Sequence, residues 1–182
     1  MTKALLIIDI QNDYFLGGKM ELEGSEPASL RAGELLAAFR KRRIPVIHVQ
    51  HISLRPGATF FLPDTDGVKI HDNVAPADHE TLIQKHFPNA FRDTTLHDHL
   101  RQTGIRELVI AGMMTHMCVD ATTRAAADLG FTCSLAHDAC ATRALAFGGT
   151  KVPADHVHSS FLAALSGTYA AVKPAAELVG SL

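Results

Sequence analysis

Ala4-Leu-Leu-Ile-Ile-Asp9, running on into Ile10-Gln-Asn-Asp13, is the stretch that decides the fold. Ala4 to Ile8 is continuously apolar. A strand with one face in water alternates apolar and polar residues, so an unbroken run that ends in a charge predicts a strand buried on both faces. The side chains at the end of such a strand, here Asp9 and Gln11, face a site.

Working outward, Leu30, Leu35, Leu36 and Phe39 recur at helical spacing between Pro27 and Arg43, and Pro45 stops that helix before the apolar run Val46 to Val49. Strand, helix, strand makes a first crossover unit. Thr81 to Lys85 reads as a short extended piece. Asp93 to Gln102 fits a helix with Asp93 as its cap and Gly104 as its stop. Glu107 to Ala111 is a strand, Thr115 to Leu129 an alanine-rich helix closed by Gly130, and Phe131 to Ala136 a strand leading into Asp138-Ala-Cys-Ala-Thr142. Pro153 to Leu165 adds a helix and Tyr169 to Val172 a last strand. This alternation predicts an α/β fold of three layers, α/β/α, around a mainly parallel sheet of about six strands, with catalytic groups at the carboxyl ends of the strands. Residues 1–182 are expected to form a single domain. Residues 52–80 fit no period, because Pro56, Gly57, Pro63, Gly67 and Pro76 break it. A loop of that length predicts a site cover or a subunit contact.

Composition narrows the class of function. With 47% hydrophobic and 20% charged residues, the chain is neither disordered nor fibrous. The net charge is -2, and the one basic run, Arg40 to Arg43, falls at a helix end where cations complement the dipole, so no nucleic-acid partner is expected. Ala4 to Ile8 is too short for a signal sequence or a membrane span, which predicts a cytoplasmic protein without a membrane partner. Cys118, Cys133 and Cys140 make no even framework and no metal-type pair, so free thiols are expected. Neither G-x-G-x-x-G nor G-x-x-x-x-G-K-[ST] occurs, which weakens a nucleotide-binding alternative.

Ala111-Gly-Met-Met-Thr-His-Met-Cys-Val119 runs from a buried strand through a glycine-eased turn into a helix. Cys118 then lies in the first helical turn, where unpaired N–H groups and the dipole favour a thiolate and can hold an oxyanion. Position alone leaves a packing cysteine equally open. Asp9, closing an apolar strand, has a pKa raised by desolvation and can serve as a base, or it can simply bond loop amides. Lys85, taken alone, reads as a surface lysine.

Four blocks in order join these residues: Leu6-Ile-Ile-Asp-Ile-Gln-Asn-Asp13, Lys85 with Pro88-Asn-Ala-Phe91, Gly112-Met-Met-Thr-His-Met-Cys-Val119, and Asp138-Ala-Cys-Ala-Thr142. With them the chain resembles the isochorismatase-like cysteine hydrolases, a Rossmann-like family that includes nicotinamidases, carbamoylsarcosine amidases and isochorismatase itself. The resemblance implies a catalytic triad of Asp9, Lys85 and Cys118 and a cis peptide joining Met113 to Met114. It also implies an oxyanion hole from the Met114 and Cys118 N–H groups, and hydrolysis of an amide-like C–N bond in a small molecule. Vinyl ether hydrolysis is the alternative within the family. Relatives commonly assemble, so a homodimer or larger oligomer is expected.

Nicotinamidases carry an Asp-x-His metal pair after the second strand. Here that stretch reads Val49-Gln-His-Ile-Ser53, with only His51 remaining, so no metal and no cofactor are expected. His97-x-His99 and His156-x-His158 fall on predicted helices, where residues two apart do not share a face. The candidate substrate-binding residues are Gln11, Phe15, His51, Phe91 and His116, with Phe60 and Phe87 as further aromatic walls.

Overall fold

The computed structural model describes residues 2–182. In chain order it contains β1 (Thr2–Ile8), α1 (Ser25–Lys41), β2 (Val46–His51), β3 (Thr81–Lys85), α2 (Leu96–Gln102) and β4 (Ile105–Met113). A π-helical turn, Thr115–Val119, then runs into α3 (Asp120–Asp128). After it come β5 (Thr132–Ala141), β6 (Leu145–Phe147), β7 (Thr150–Val152), α4 (Ala154–Leu165), β8 (Ala171–Lys173) and α5 (Ala175–Gly180). Six strands form one sheet in the order β3-β2-β1-β4-β5-β8. Every adjacent pair is parallel, as expected.

The burial of each strand follows from its place. Central β1 is buried continuously from Ala4 to Ile8, whereas β3, at the sheet's edge, alternates and turns only Ile83 and Lys85 inward. Leu5 and Ile7 point to the core under α1 and α5, built on Ala32, Leu35, Phe39 and Leu178. Ala4, Leu6 and Ile8 point to the other core, with Leu96, Leu100, Ala126 and Leu165 from α2, α3 and α4. Two apolar layers on one sheet make the three-layer arrangement.

β1 and β4 approach most closely where the site begins. Ile8 pairs with Gly112, whose φ is 145°, and a Cβ there would stand 2.1 Å from the Ile8 carbonyl oxygen. Only glycine fits. The following peptide, Met113–Met114, is cis, as the resemblance implied.

The structure corrects several boundaries. Asp93 does not cap α2: it adopts φ 54° in the preceding turn, and the Thr94 hydroxyl accepts from the Leu96 N–H instead. The strand predicted at Phe131 to Ala136 continues through the Asp138–Ala141 block. The β6–β7 hairpin, turned by Gly148 and Gly149, and the terminal α5 are additions to the predicted elements. Residues 52–80 are irregular apart from a short 3-10 turn at Asp72–Val74. Two buried side chains fasten this loop to the end of β1. Asp13 accepts from the Phe61 N–H at 2.6 Å and the Lys19 N–H at 3.1 Å. Gln11 donates to the Val68 and His51 carbonyls at 2.7 and 2.9 Å and accepts from the His51 N–H at 2.8 Å.

Candidate active site

The sheet order places a topological switch between β1 and β4, since the chain moves outward through β2 and β3 on one side and through β5 and β8 on the other. A crevice opens outside the carboxyl ends of the strands at such a switch. Asp9 follows β1, His51 and Lys85 end β2 and β3 side by side in register, and Cys118 lies in the π-turn after β4. Strict alternation along β1 would send Asp9 to the face of Leu5 and Ile7. Its φ of 52° interrupts that alternation, a conformation aspartate tolerates better than most residues, and the carboxylate meets Lys85 and Cys118 on the other face.

Lys85 Nζ is the hub. It lies 2.6 Å from Asp9 Oδ2, 3.3 Å from Cys118 Sγ, 3.0 Å from His51 Nδ1 and 3.1 Å from the Phe87 carbonyl oxygen. Four acceptors compete for three ammonium protons. Asp9 and Lys85 are wholly buried, yet the short contact between them is off the direction of a hydrogen bond, and neither Asp9 oxygen has a well-directed donor among the described residues. Asp9 is therefore paired but under-solvated.

Burial raises the Asp9 pKa, and the opposing pull of Lys85 does not cancel it. Burial would lower Lys85, but the Asp9 charge and the contacts with Asp9 and Cys118 outweigh it and hold the ammonium protonated. Burial, reinforced by the Asp9 charge, pushes the Cys118 thiol well above its ordinary value. The resting group is a thiol beside a carboxylate. The setting differs from the first turn of a regular helix that the sequence suggested: Cys118 is buried inside the π-turn, where desolvation favours the neutral thiol. Burial first, and the Lys85 charge second, lower His51 to about 3, so the imidazole is neutral. Because Nδ1 accepts from an ammonium, the ring proton resides on Nε2.

Asp9, His51 and Cys118 offer ligand-type atoms within 4.8 Å of one another. The Lys85 ammonium faces all three, 2.6 Å from Asp9 Oδ2, 3.0 Å from His51 Nδ1 and 3.3 Å from Cys118 Sγ.

A cleft of about 360 Å³ opens over Cys118. Tyr14, Phe60, Phe61 and Phe87 supply aromatic walls, with Met114 and Met117 beside the thiol. Tyr14 and Phe61 meet edge-on at 4.6 Å, and Phe60 and Phe61 at 4.9 Å. The irregular loop thus covers the site, as one of its two predicted roles required. Of the five candidate substrate-binding residues, His51 faces this cleft and the other four lie elsewhere. Gln11 spends its amide on the loop. Phe15 stacks on His71 at 3.6 Å, and Phe91 packs on Phe131 in the core below the sheet. His116 is turned away, with Nδ1 on the Thr142 hydroxyl and its ring against Phe161. Tyr14, Phe61, Arg55 and Arg143 line the cleft without having been singled out in the sequence. Tyr14 and Arg143 directly follow two of the four blocks, which was the available signal.

An isochorismatase domain model matches residues 3–168. The chain belongs to the isochorismatase family. It is 53% identical over 173 residues to an uncharacterized isochorismatase family protein of Bacillus subtilis (strain 168), covering 95% of this chain and 96% of that one. A streptothricin hydrolase of Streptomyces noursei is 36% identical over 141 residues, 78% of this chain and 50% of that one. A crystal structure from Oleispira antarctica superposes with a TM-score of 0.95 at 52% identity, covering 98% of this chain and 96% of that one. This isochorismatase-family chain is accordingly a hydrolase of six-stranded α/β fold, and its Asp9, Lys85 and Cys118 stand together at the strand ends. Among its described residues no helix is long and apolar enough to cross a membrane.

Proposed function

We propose that this protein is a cysteine-dependent hydrolase of an amide-like C–N bond in a small molecule, working through a thioester acyl-enzyme. The observation that carries the reading is the approach of Lys85 Nζ to both Asp9 Oδ2 and Cys118 Sγ, with Cys118 lining a cleft and Asp9 and Lys85 buried behind it. Asp9, with its raised pKa, is the base for a thiol that does not ionise by itself.

In the reaction Cys118 Sγ attacks the carbonyl carbon as its proton passes to Asp9, and the carbonyl electron pair moves onto oxygen. The Met114 and Cys118 N–H groups serve as oxyanion donors, and Lys85 offsets the anionic charge of the carboxylate and sulfur. The tetrahedral centre collapses, the C–N bond breaks, and Asp9 returns the proton to the departing nitrogen. Water then attacks the thioester, losing a proton to Asp9. Cleavage of the C–S bond releases the acid and restores the thiol. His51, neutral with its proton on Nε2, is a donor to bound substrate.

Hydrolysis over a panel of primary amides, ureido acids and lactams tests this reading, followed by ammonia release for the first two and by formation of the ring-opened amino acid for the lactams, with Cys118→Ala as the control. Turnover that survives the substitution refutes the covalent route.

A further inference from the structure

The charge of the cleft differs from the charge of the chain. The protein carries a net -2, yet the permanently charged side chains lining the cleft are two arginines, Arg55 and Arg143, and no aspartate or glutamate lines it. They approach from opposite flanks: Arg55 comes from the loop after β2, and Arg143 stands two residues beyond β5. Arg40 is tied to Glu80 and Arg124 to Asp120, whereas among the described residues no carboxylate lies within ion-pair distance of Arg55 or Arg143, the two arginines that line the cleft. Two uncommitted guanidiniums at the rim of an aromatic pocket are the donor set that recognises a planar anion on a compact organic body.

We propose that Arg55 and Arg143 form an anion subsite and that the substrate is an amide whose small body also bears a carboxylate. This deepens the hydrolase reading and rests on it for the nature of the scissile bond. The lining makes a carboxylate the better match than a phosphate ester of a large ligand, because about 360 Å³ walled by Tyr14, Phe60 and Phe61 admits only a compact body beside the reacting amide. Charge facing a cleft also raises the local concentration of an oppositely charged substrate and its rate of entry.

The test reads Cys118 directly and needs no knowledge of the substrate. Iodoacetate and iodoacetamide alkylate a thiol identically: the S–C bond forms, the C–I bond breaks, and the thiol proton passes to a base. They differ in that one carries a carboxylate and the other an amide. The ratio of their rates at Cys118, followed by peptide mass, cancels any general change in thiol reactivity. Replacing both arginines, Arg55→Gln with Arg143→Gln, is expected to lower the iodoacetate-to-iodoacetamide ratio at least fivefold, while Arg106→Gln, at the exposed amino end of β4, leaves it unchanged. In a second measurement, Cys118→Ala protein titrated calorimetrically should bind succinamate at least tenfold more tightly than neutral succinamide. A ratio unmoved by the double substitution, or succinamide binding as tightly as succinamate, overturns the subsite. Absence of C–N hydrolysis in every amide, ureido acid and lactam of the panel, with the ratio still falling, would instead sink the amidase reading and leave the anion subsite standing.

Discussion

The two ends of β3 carry the same three ingredients, a carboxylate, a cation and a histidine, and do opposite things with them. Just before the strand, Glu80 accepts from Arg40 at 2.7 and 2.8 Å, from the Ala77 N–H at 2.9 Å and from His48 Nε2 at 2.9 Å. Burial alone would raise its pKa, but those donors outweigh burial and bring it to about 2. At the far end Lys85 is divided among four acceptors, Asp9 has no well-directed donor among the described residues, and burial wins. A fully solvated buried carboxylate is a structural clamp, whereas an under-solvated one takes up a proton more readily, as the proposed base must. Number and direction of donors, rather than residue type, separate the two.

Removing the thiol should give the widest separation between the ends. Cys118→Ala is expected to lower ammonia release by at least ~10³-fold, about 4 kcal/mol of transition-state stabilisation, with the unfolding midpoint little changed. A comparable loss of stability would mean that Cys118 is chiefly a packing residue. Gly112→Ala attacks the frame under the reactive end, since its Cβ would press on the Ile8 carbonyl at 2.1 Å. About 3 kcal/mol or more of stability should be lost, read by denaturant titration; a cost under about 1 kcal/mol would show that β1 and β4 can part there without consequence. Glu80→Gln strikes the clamp. It should cost about 2–3 kcal/mol, lowering the melting temperature by roughly 5–10 °C, with turnover per folded molecule nearly retained. A loss of turnover as large as that of Cys118→Ala would join the two ends into one functional unit.

The contrast also explains what could be read from the residues alone. Strand identity followed from local pattern: the unbroken run Ala4 to Ile8 for a buried strand, and Thr81 to Lys85 for a short extended piece, whose place at the sheet's edge appears only in the fold. The direction of a side chain beyond a strand end did not. Asp9 turns to the opposite face through its positive φ, and Asp93 breaks rather than caps, because a left-handed residue is set by tertiary contacts. Lys85 looked like a surface lysine because its burial depends on Asp9, 76 positions away in the chain, and only the ordered blocks connected them. Gln11, Phe91 and His116 lie within those blocks and Phe15 just beyond one, but they are spent on loop amides, Phe131, Thr142 and His71, partners no periodicity reveals. The short β6–β7 hairpin has too few residues for alternation to register.

Acid titration should finally pull the two ends apart in one sample. Glu80 has a folded pKa of about 2, below its ordinary 4.5, so its contribution is complete above the unfolded value and is lost as pH falls from there toward 2. His48, lowered by burial below its ordinary 6.5, adds to the decline: as pH drops under 6.5 the unfolded chain takes up a proton the folded chain resists. Asp9 has the opposite sign. Its folded pKa lies above 3.8, so protonation is favoured by the fold and costs no stability, but it removes the proposed base. The acid limb of kcat/KM is therefore expected above the range in which Glu80 titrates, leaving a window where circular dichroism is native and turnover is gone. Glu80→Gln should shift the unfolding limb by about one pH unit and leave the activity limb in place. If both limbs moved together, loss of activity in acid would be loss of the fold, and Asp9 would no longer be needed as its cause.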